Sequence, residues 1–346
     1  MKFSRRITNW YSVNKRSLPW RESQNPYQIW LSEIIMQQTQ INQGLPYYQK
    51  FSQKYPTIFD LANASETEIL KLWQGLGYYS RARNLHQTAK HIVNKFNGEF
   101  PKTFDELIRL KGVGDYTASA IASICYDAPT ATVDGNVYRV LSRYFGIKTP
   151  INSTKGIREF KALAQRLLPK SNIGDHNQGL MEFGSKQCKP KSPDCTSCPL
   201  NDSCVAVQKN IVDQLPVKIN KTKIKRRYFN YLVFLSKGKR TILKQRRSNG
   251  IWQNLYEFPL IETKTPVSVE DIKNHNDLRN LCEQKEFQLN LFNEKSIVHK
   301  LSHQHLYTKF WIVNVDRLPQ DAIQVTDLDS YPVPVLIANF IDSFNF

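Results

Sequence analysis

Acidic residues are scarce in this chain of 346 residues: 30 Asp and Glu stand against 48 Lys and Arg, for a formal net charge of +18 and a pI near 9.6. That balance argues for a polyanionic partner, nucleic acid first, although a surface charged only for solubility would give the same count. Long apolar runs are missing as well. No stretch approaches the ~18 residues of a spanning helix. The N-terminus, MKFSRRITNWYSVNKRSLPW, has neither an apolar signal core nor a small-residue cleavage site. A soluble cytoplasmic protein with no membrane partner is expected. Cysteine is sparse, six in all, and four of them crowd into residues 188–204 while Cys125 and Cys282 stand alone. This distribution excludes a disulfide framework and points to a metal site in a reducing compartment, with the two isolated cysteines in the core. No repeat of solenoid period is present.

What remains is rich enough to fold. Hydrophobic residues make up 40% and aromatics 12%, too many for a disordered basic tail. At roughly 100–200 residues per domain, two domains are expected. Residues 1–207 read as helical, with short apolar periodic stretches between Gly, Pro and Asn. Asn25-Pro26 looks like a cap and first turn, Thr103-x-x-Glu106 like a capping box, and Val137, Val140, Leu141, Tyr144 and Phe145 form one helical stripe. Residues 208–227 then read as a basic linker, either a solvated charge run or a DNA contact. From 228 to 346 the signal changes to strands. YLVFL, TILKQ and FWIVNV, bounded by turns such as Lys237-Gly238 and Asn249-Gly250, predict a smaller α+β domain.

The most specific local signal is Cys188-x6-Cys195-x2-Cys198-x5-Cys204. Four thiolates within one short segment can enclose a metal centre unaided. Only one pair has knuckle spacing, so an iron-sulfur cluster is favoured over zinc. Lys186, Lys189 and Lys191 stud the same loop, which suits a cluster that shapes a phosphate-facing surface; a redox role is the alternative. The second signal is Leu110-Lys111-Gly112-Val113-Gly114, whose two glycines permit a tight hairpin between helices. Backbone N–H groups there can approach a phosphate, aided by the following helix start, although most such turns are only turns.

The succession LPWR, WLSEIIMQQTQ, QGLGYYSRARNL, LKGVGDYTASAIAS, VDGNVYRVLSR, NQGLMEFG and the cysteine loop resembles the helix-hairpin-helix DNA glycosylases, and among them the adenine DNA glycosylase (MutY) family. The stretch GIWQNLYEFP resembles the family's degenerate Nudix-like domain. No G-x5-E-x7-R-E-x2-E-E metal box follows it, so that domain is expected to bind without hydrolysing. The resemblance implies an all-α helix-hairpin-helix domain with an iron-sulfur loop, followed by a smaller α+β Nudix-like domain. It implies one 4Fe-4S cluster on Cys188, Cys195, Cys198 and Cys204, and a monomer acting on double-stranded DNA that contains A:8-oxoguanine or A:G mispairs.

It also assigns roles. Glu33 matches the general acid that protonates the departing adenine at N7, a task that requires a carboxyl still protonated near pH 7. Asp134 matches the carboxylate that stabilises the oxocarbenium-like sugar and can trap it covalently. By residue type alone, Glu33 reads as a surface glutamate and Asp134 as a helix N-cap. Tyr116 occupies the position of the Schiff-base lysine in endonuclease III, and a phenol cannot form that imine, so a monofunctional enzyme is implied. Tyr116 and Asn136 match supporting hydrogen-bonders of the catalytic carboxylates. Trp20, Arg21 and Gln178 match the adenine pocket, and Gln38, Leu76 and Tyr78 match residues that enter the duplex. With the hairpin residues Lys111, Gly112, Val113 and Gly114, these last three form the expected DNA contact. Leu301-Ser302-His303 resembles the Phe-Ser-His loop that contacts 8-oxoguanine, with Leu301 in place of the aromatic. The competing readings are a glycosylase of the same fold for thymine mismatches or damaged pyrimidines, a non-catalytic iron-sulfur regulator, and a Nudix hydrolase with a DNA-binding appendage.

Overall fold

A computed structural model of the protein describes residues 2–219, 224–282 and 286–346. The chain divides into two units, Met1–Ala64 with Asn84–Asn220 and Ser65–Arg83 with Lys221–Phe346.

The first unit is helical. Its helices are α1 (Lys2–Asn14), α2 (Pro26–Met36), α3 (Ile41–Lys54) and α4 (Ile58–Asn63); α5 (Glu66–Leu72) belongs to the second unit. The chain returns through α6 (Ser80–Phe96) to α7 (Phe104–Leu107), α8 (Asp115–Tyr126), α9 (Gly135–Phe145), α10 (Thr154–Arg166), α11 (Ile173–Lys186) and α12 (Val205–Gln208). Local chemistry sets several of these starts. The Asn25 side chain accepts the Tyr27 N–H ahead of Pro26, and Thr103 with Glu106 closes the expected capping box. Helix α11 lies along α1, α8 and α9, and α2 packs on α8. Phe3 and Ile7 of α1, Val137, Val140 and Leu141 of α9, and Leu180 and Phe183 of α11 share one core, against which Cys188 and Cys198 also pack. Gly184 allows this approach: a Cβ there would lie 2.7 Å from Cβ of Asn136, so no other residue lets α11 come so near the start of α9.

The second unit is built on a sheet in which β1 (Lys225–Ser236) runs parallel to β8 (Gln304–Val315), with Tyr231 opposite Phe310 and Leu232 opposite Trp311. In chain order the remaining strands are β2 (Arg240–Thr241), β3 (Lys244–Gln245), β4 (Tyr256–Glu257), β5 (Leu260–Thr263), β6 (Gln288–Leu291), β7 (Ile297–Lys300) and β9 (Ile323–Gln324). β5 pairs with β1, while β6 and β7 both pair with β8. Alternation puts Leu232, Phe234, Trp311 and Val313 on one face, in a core shared with Ile272 of α13 (Val269–Lys273) and Leu278 of α14 (Asn276–Leu281). On the other face Phe310 stacks on Phe340 of α15 (Val335–Ser343) at 4.0 Å.

Three sequence expectations change. TILKQ is not one strand: its ends fall in β2 and β3, which pair with β9 and β4 in separate small ribbons. The expected linker is largely taken up at both ends. Ile151 N–H donates to the Val217 carbonyl at 3.0 Å, Ile219 N–H donates to Asn152 at 2.9 Å, and β1 already begins at Lys225. Positions 220–223 of that linker lie outside the described residues. Residues 65–83, read from sequence as part of the helical domain, bond with the second unit. Asn254 donates to Glu66 at 2.5 Å, Arg83 to the Gln253 carbonyl at 2.8 Å and Lys71 to the Tyr331 carbonyl at 3.4 Å.

Candidate active site

Within the first unit, α2, α8, α11, the start of α9 and the segment around Arg16–Arg21 enclose a cavity of about 470 Å³. Trp20, Arg21, Glu33, Tyr116, Asp134, Asn136 and Gln178 all line it, seven of the sequence-assigned residues drawn from five separate segments. Helix α2 turns Ile29, Trp30, Leu31, Ile34 and Ile35 into the protein and leaves Glu33 to face the cavity.

The two carboxyl groups are held differently. Burial pushes the Glu33 carboxyl up to about 7; Asp134 acts in the same direction, while a hydrogen bond with Tyr116 and the charge of Arg21 oppose it. Desolvation penalises the ion, so the proton stays on near neutral pH. Burial also raises Asp134 above the ordinary aspartate value, but here the opposition is stronger in kind. Asp134 Oδ1 accepts N–H groups from Val137 at 2.7 Å and Asn136 at 2.9 Å, and Oδ2 accepts the Asn136 side-chain amide at 2.7 Å. A carboxylate accepting three donors at a helix N-terminus suits the ionised form. Asp134 is therefore both the N-cap and a cavity wall.

Tyr116 lies in the first turn of α8 with its phenol donating toward Met181 Sδ at 3.1 Å. Burial, with Glu33 beside it, raises that phenol well above its ordinary value, which keeps it a neutral donor. Trp20 is buried edge-on to Tyr48 at 4.9 Å. Arg21 belongs to a network that sequence reasoning missed. Glu182, only 1% exposed, accepts from Arg16 Nε at 2.7 Å, Arg16 Nη2 at 2.5 Å and Arg21 Nη2 at 2.7 Å. Burial alone would raise Glu182, yet these two guanidinium groups hold it at about 2. The available signal was its place four residues after Gln178, on the same face of α11.

A second missed pair is Arg139 and Arg143, buried on α9. Arg139 donates to Asn136 Oδ1 at 2.8 Å, to the Gly184 carbonyl at 2.6 Å and to the Cys188 carbonyl at 2.7 Å. Arg143 donates to the carbonyls of Lys189, Pro190, Val212 and Leu215, and to Cys188 Sγ at 3.5 Å. The cysteine loop is thereby fastened to the helix that Asp134 caps. Its thiols interact: burial raises Cys188, Cys195 and Cys198, the last to about 11, and the neighbouring sulfurs add to each shift. Among the described residues, no three His, Cys, Asp or Glu side chains converge on the position of a single metal ion.

The hairpin is tight. Gly112 takes φ +78°, and a Cβ there would meet Asn84 Cβ at 2.7 Å. Val113 N–H returns to the Leu110 carbonyl at 3.1 Å, Thr88 bonds the Lys111 carbonyl at 2.7 Å, and Gly114 caps α8 without a side chain. Gln38 is exposed beyond the end of α2 at φ +55° and does not line the cavity. Leu76 and Tyr78 lie in the second unit. There they line another cavity, of about 580 Å³, together with Ser302 and His303. Leu76 is buried and Tyr78 exposed.

Residues 31–167 match the HhH-GPD superfamily of base excision DNA repair proteins, and residues 230–343 match the NUDIX domain. Fold and cavity together thus define a helix-hairpin-helix DNA glycosylase that carries a Nudix-like domain, an enzyme of base-excision repair. The chain is 36% identical over 313 residues to the adenine DNA glycosylase of Buchnera aphidicola subsp. Baizongia pistaciae, covering 90% of this chain and 86% of that one. It is 42% identical over 218 residues to the adenine DNA glycosylase of Homo sapiens, covering 60% of this chain and 40% of the human one. Among solved structures, a thermostable thymine-DNA glycosylase is similar with a TM-score of 0.56 and 31% identity, over 60% of this chain and 96% of that one. The chain belongs to the adenine DNA glycosylase family.

Proposed function

We propose that this enzyme hydrolyses the N-glycosidic bond of adenine mispaired with 8-oxoguanine or guanine in duplex DNA. The observation that carries the reading is the pair of unlike carboxyl groups in one cavity: Glu33 with its proton held to about 7, and Asp134 ringed by three N–H donors. Protonation of adenine at N7 by Glu33 turns a poor leaving group into a neutral one as the bond from N9 to C1′ breaks. The ionised Asp134 then faces the cationic sugar until water adds at C1′, its released proton returning to the Glu33 carboxylate. Tyr116, a neutral phenol, steadies Glu33 and offers no amine for an imine, so the product is an intact abasic strand.

The four cysteines at 188, 195, 198 and 204 suit one 4Fe-4S cluster. They influence one another without converging on a single ion, and two sulfurs already receive N–H donors, Cys188 from Arg143 and Cys198 from Leu200. Held by these four cysteines, such a cluster would tie the loop together, and Lys186, Lys189 and Lys191 of that segment are the cations we assign to the phosphate backbone. The hairpin 110–114 and the exposed Gln38 and Tyr78 are the further contacts we assign to DNA, and Ser302 with His303 to the base opposite the adenine.

The structural likeness to a thymine-DNA glycosylase favours one competing reading, a thymine-mismatch enzyme. Incubation with duplexes that carry adenine opposite 8-oxoguanine, guanine or thymine, and thymine opposite guanine, followed by alkali, separates the two. Scission at adenine opposite 8-oxoguanine and guanine is expected; scission only at thymine would overturn the proposal.

A further inference from the structure

The helix that follows the hairpin begins with an acid. Gly114 caps α8, and Asp115, its first residue, is the one acidic side chain of that first turn. In the free protein this charge favours the helix, because the unpaired N–H groups and the helix dipole make an N-terminus positive. For a hairpin that is to take a phosphate on the same N–H groups, it is a second anion at the mouth of an anion site. That mouth is open: a Cβ built on Gly114, whose φ is −93°, would meet nothing within 4 Å.

Lys161 of α10, 46 residues further along the chain, answers this charge. Its ammonium donates to Asp115 Oδ1 at 2.6 Å, to Ser119 Oγ of α8 at 3.0 Å and to the Ala131 carbonyl at 2.7 Å. A lysine ammonium has three N–H groups, and these three acceptors take all of them. None is left for a phosphate. The same nitrogen lies 5.7 Å from the centroid of the Phe104 ring on α7, so Lys161 faces both helices that flank the hairpin. Its side chain is 30% exposed against 57% for Asp115, which puts the cation on the protein side of the pair. We propose that Lys161 is a positioning residue for DNA: it contacts no phosphate, and by pairing with Asp115 it holds that carboxylate and offsets its charge, so that a backbone phosphate can sit at the start of α8. This rests on the reading that the hairpin 110–114 meets DNA. Because the pair is solvated and screened, the effect is modest, about three- to tenfold in Kd at about 0.1 M salt, the weight of one unbalanced carboxylate several ångströms from a phosphate.

The test is the affinity of the full chain for a short undamaged DNA duplex, read by fluorescence anisotropy, for Lys161→Met, Asp115→Asn, the double variant and Gly114→Asp. Lys161→Met is expected to weaken binding by about three- to tenfold, and Asp115→Asn to bind at least as tightly as the parent. The double variant should bind like Asp115→Asn, because the lysine has nothing to offset once the carboxylate is gone. A direct phosphate contact, or a merely structural lysine, would cost as much in the Asp115→Asn background as in the parent, and either result overturns the proposal. So does weaker binding by Asp115→Asn alone. Should Lys161→Met melt early, Lys161→Gln, which keeps an N–H donor and drops the charge, takes its place in the same cycle. Gly114→Asp reads the hairpin itself: aspartate is a good N-cap, so the fold is kept, but its charge has no lysine and binding should weaken further than in Lys161→Met. Parent-like affinity in Gly114→Asp would remove the reading that the hairpin meets DNA, whereas a loss there with none in Lys161→Met would sink the pairing alone.

Discussion

Raising the pH from 6 to 8 should slow adenine excision about tenfold, because the carboxyl of Glu33 loses its proton across that interval. The size of the effect follows from the site. With its pKa at about 7, Glu33 is about nine-tenths protonated at pH 6 and about one-tenth at pH 8. At the ordinary value of 4.5 it would be only about 0.3% protonated at pH 7, so burial is worth on the order of 10²-fold in available acid. Asp134 works in the opposite sense, since only its ionised form offsets the sugar cation. Burial raises it, so the acid limb should lie above pH 3.8, its ordinary value. The expected profile of single-turnover rate on an A:8-oxoguanine duplex is a bell that declines with unit slope above about pH 7. A rate that stays level from pH 6 to 8.5 would refute the assignment of Glu33. So would a Glu33→Gln variant that loses less than tenfold, since general acid catalysis is typically worth about 10²–10⁴.

The same shift predicts a stability effect independent of the chemistry. A carboxyl whose folded pKa lies above its unfolded one favours the fold fully at low pH, and the contribution disappears as pH rises through the folded value. Between pH 4.5 and about 7, Glu33 should therefore become a liability. Glu33→Gln should melt like the parent at pH 4 but higher at pH 8, by on the order of 1–3 kcal/mol once partial solvent screening is allowed for. Equal melting behaviour at both pH values would show that the carboxyl is not desolvated.

Asp134→Asn keeps a side chain able to cap α9 but removes the charge, so excision should fall about 10²–10³-fold with the fold intact, as judged by circular dichroism. Borohydride should trap little covalent complex, because Tyr116 stands where an imine-forming lysine would be needed; efficient trapping would identify another amine nucleophile. Gly112→Ala forces a side chain onto φ +78° and against Asn84. It should cost about 1–3 kcal/mol in thermal unfolding and weaken duplex binding more than a surface Gly→Ala. Protein purified anaerobically should contain iron and acid-labile sulfide, and Cys198→Ser should lower both together with DNA affinity; stoichiometric zinc without iron would overturn the cofactor assignment.

Much of the helical frame was legible because its signals are local. Asn25-Pro26, Thr103 with Glu106, and the 137–145 stripe each act within a turn or two, and each appears where the sequence puts it. The long strands β1 and β8 announced themselves by β-branched and aromatic runs, whereas TILKQ misled because pairing partners, absent from the run itself, divide it. The allocation of residues 65–83 was illegible for a related reason. Their composition is helical, and what places them in the second unit is proximity to residues far along the chain, with hydrogen bonds such as Arg83 to Gln253 and Lys71 to Tyr331.

At the site, residue types could nominate acids but not distinguish them. Glu33 and Asp134 are both carboxyls; one becomes a proton donor and the other a caged anion through burial and through three N–H groups, neither visible in a residue's identity. The arginines show the limit most sharply. In the composition, every Arg counts toward +18 and toward a basic surface. In the structure, Arg81, Arg139 and Arg143 are buried, with hydrogen bonds from their guanidinium groups to backbone carbonyls. Such cations are expensive to bury and persist only where several acceptors converge. Part of the charge that first pointed to a polyanion is therefore spent inside the protein, where Arg139 and Arg143 join the cysteine loop to the helix that Asp134 caps.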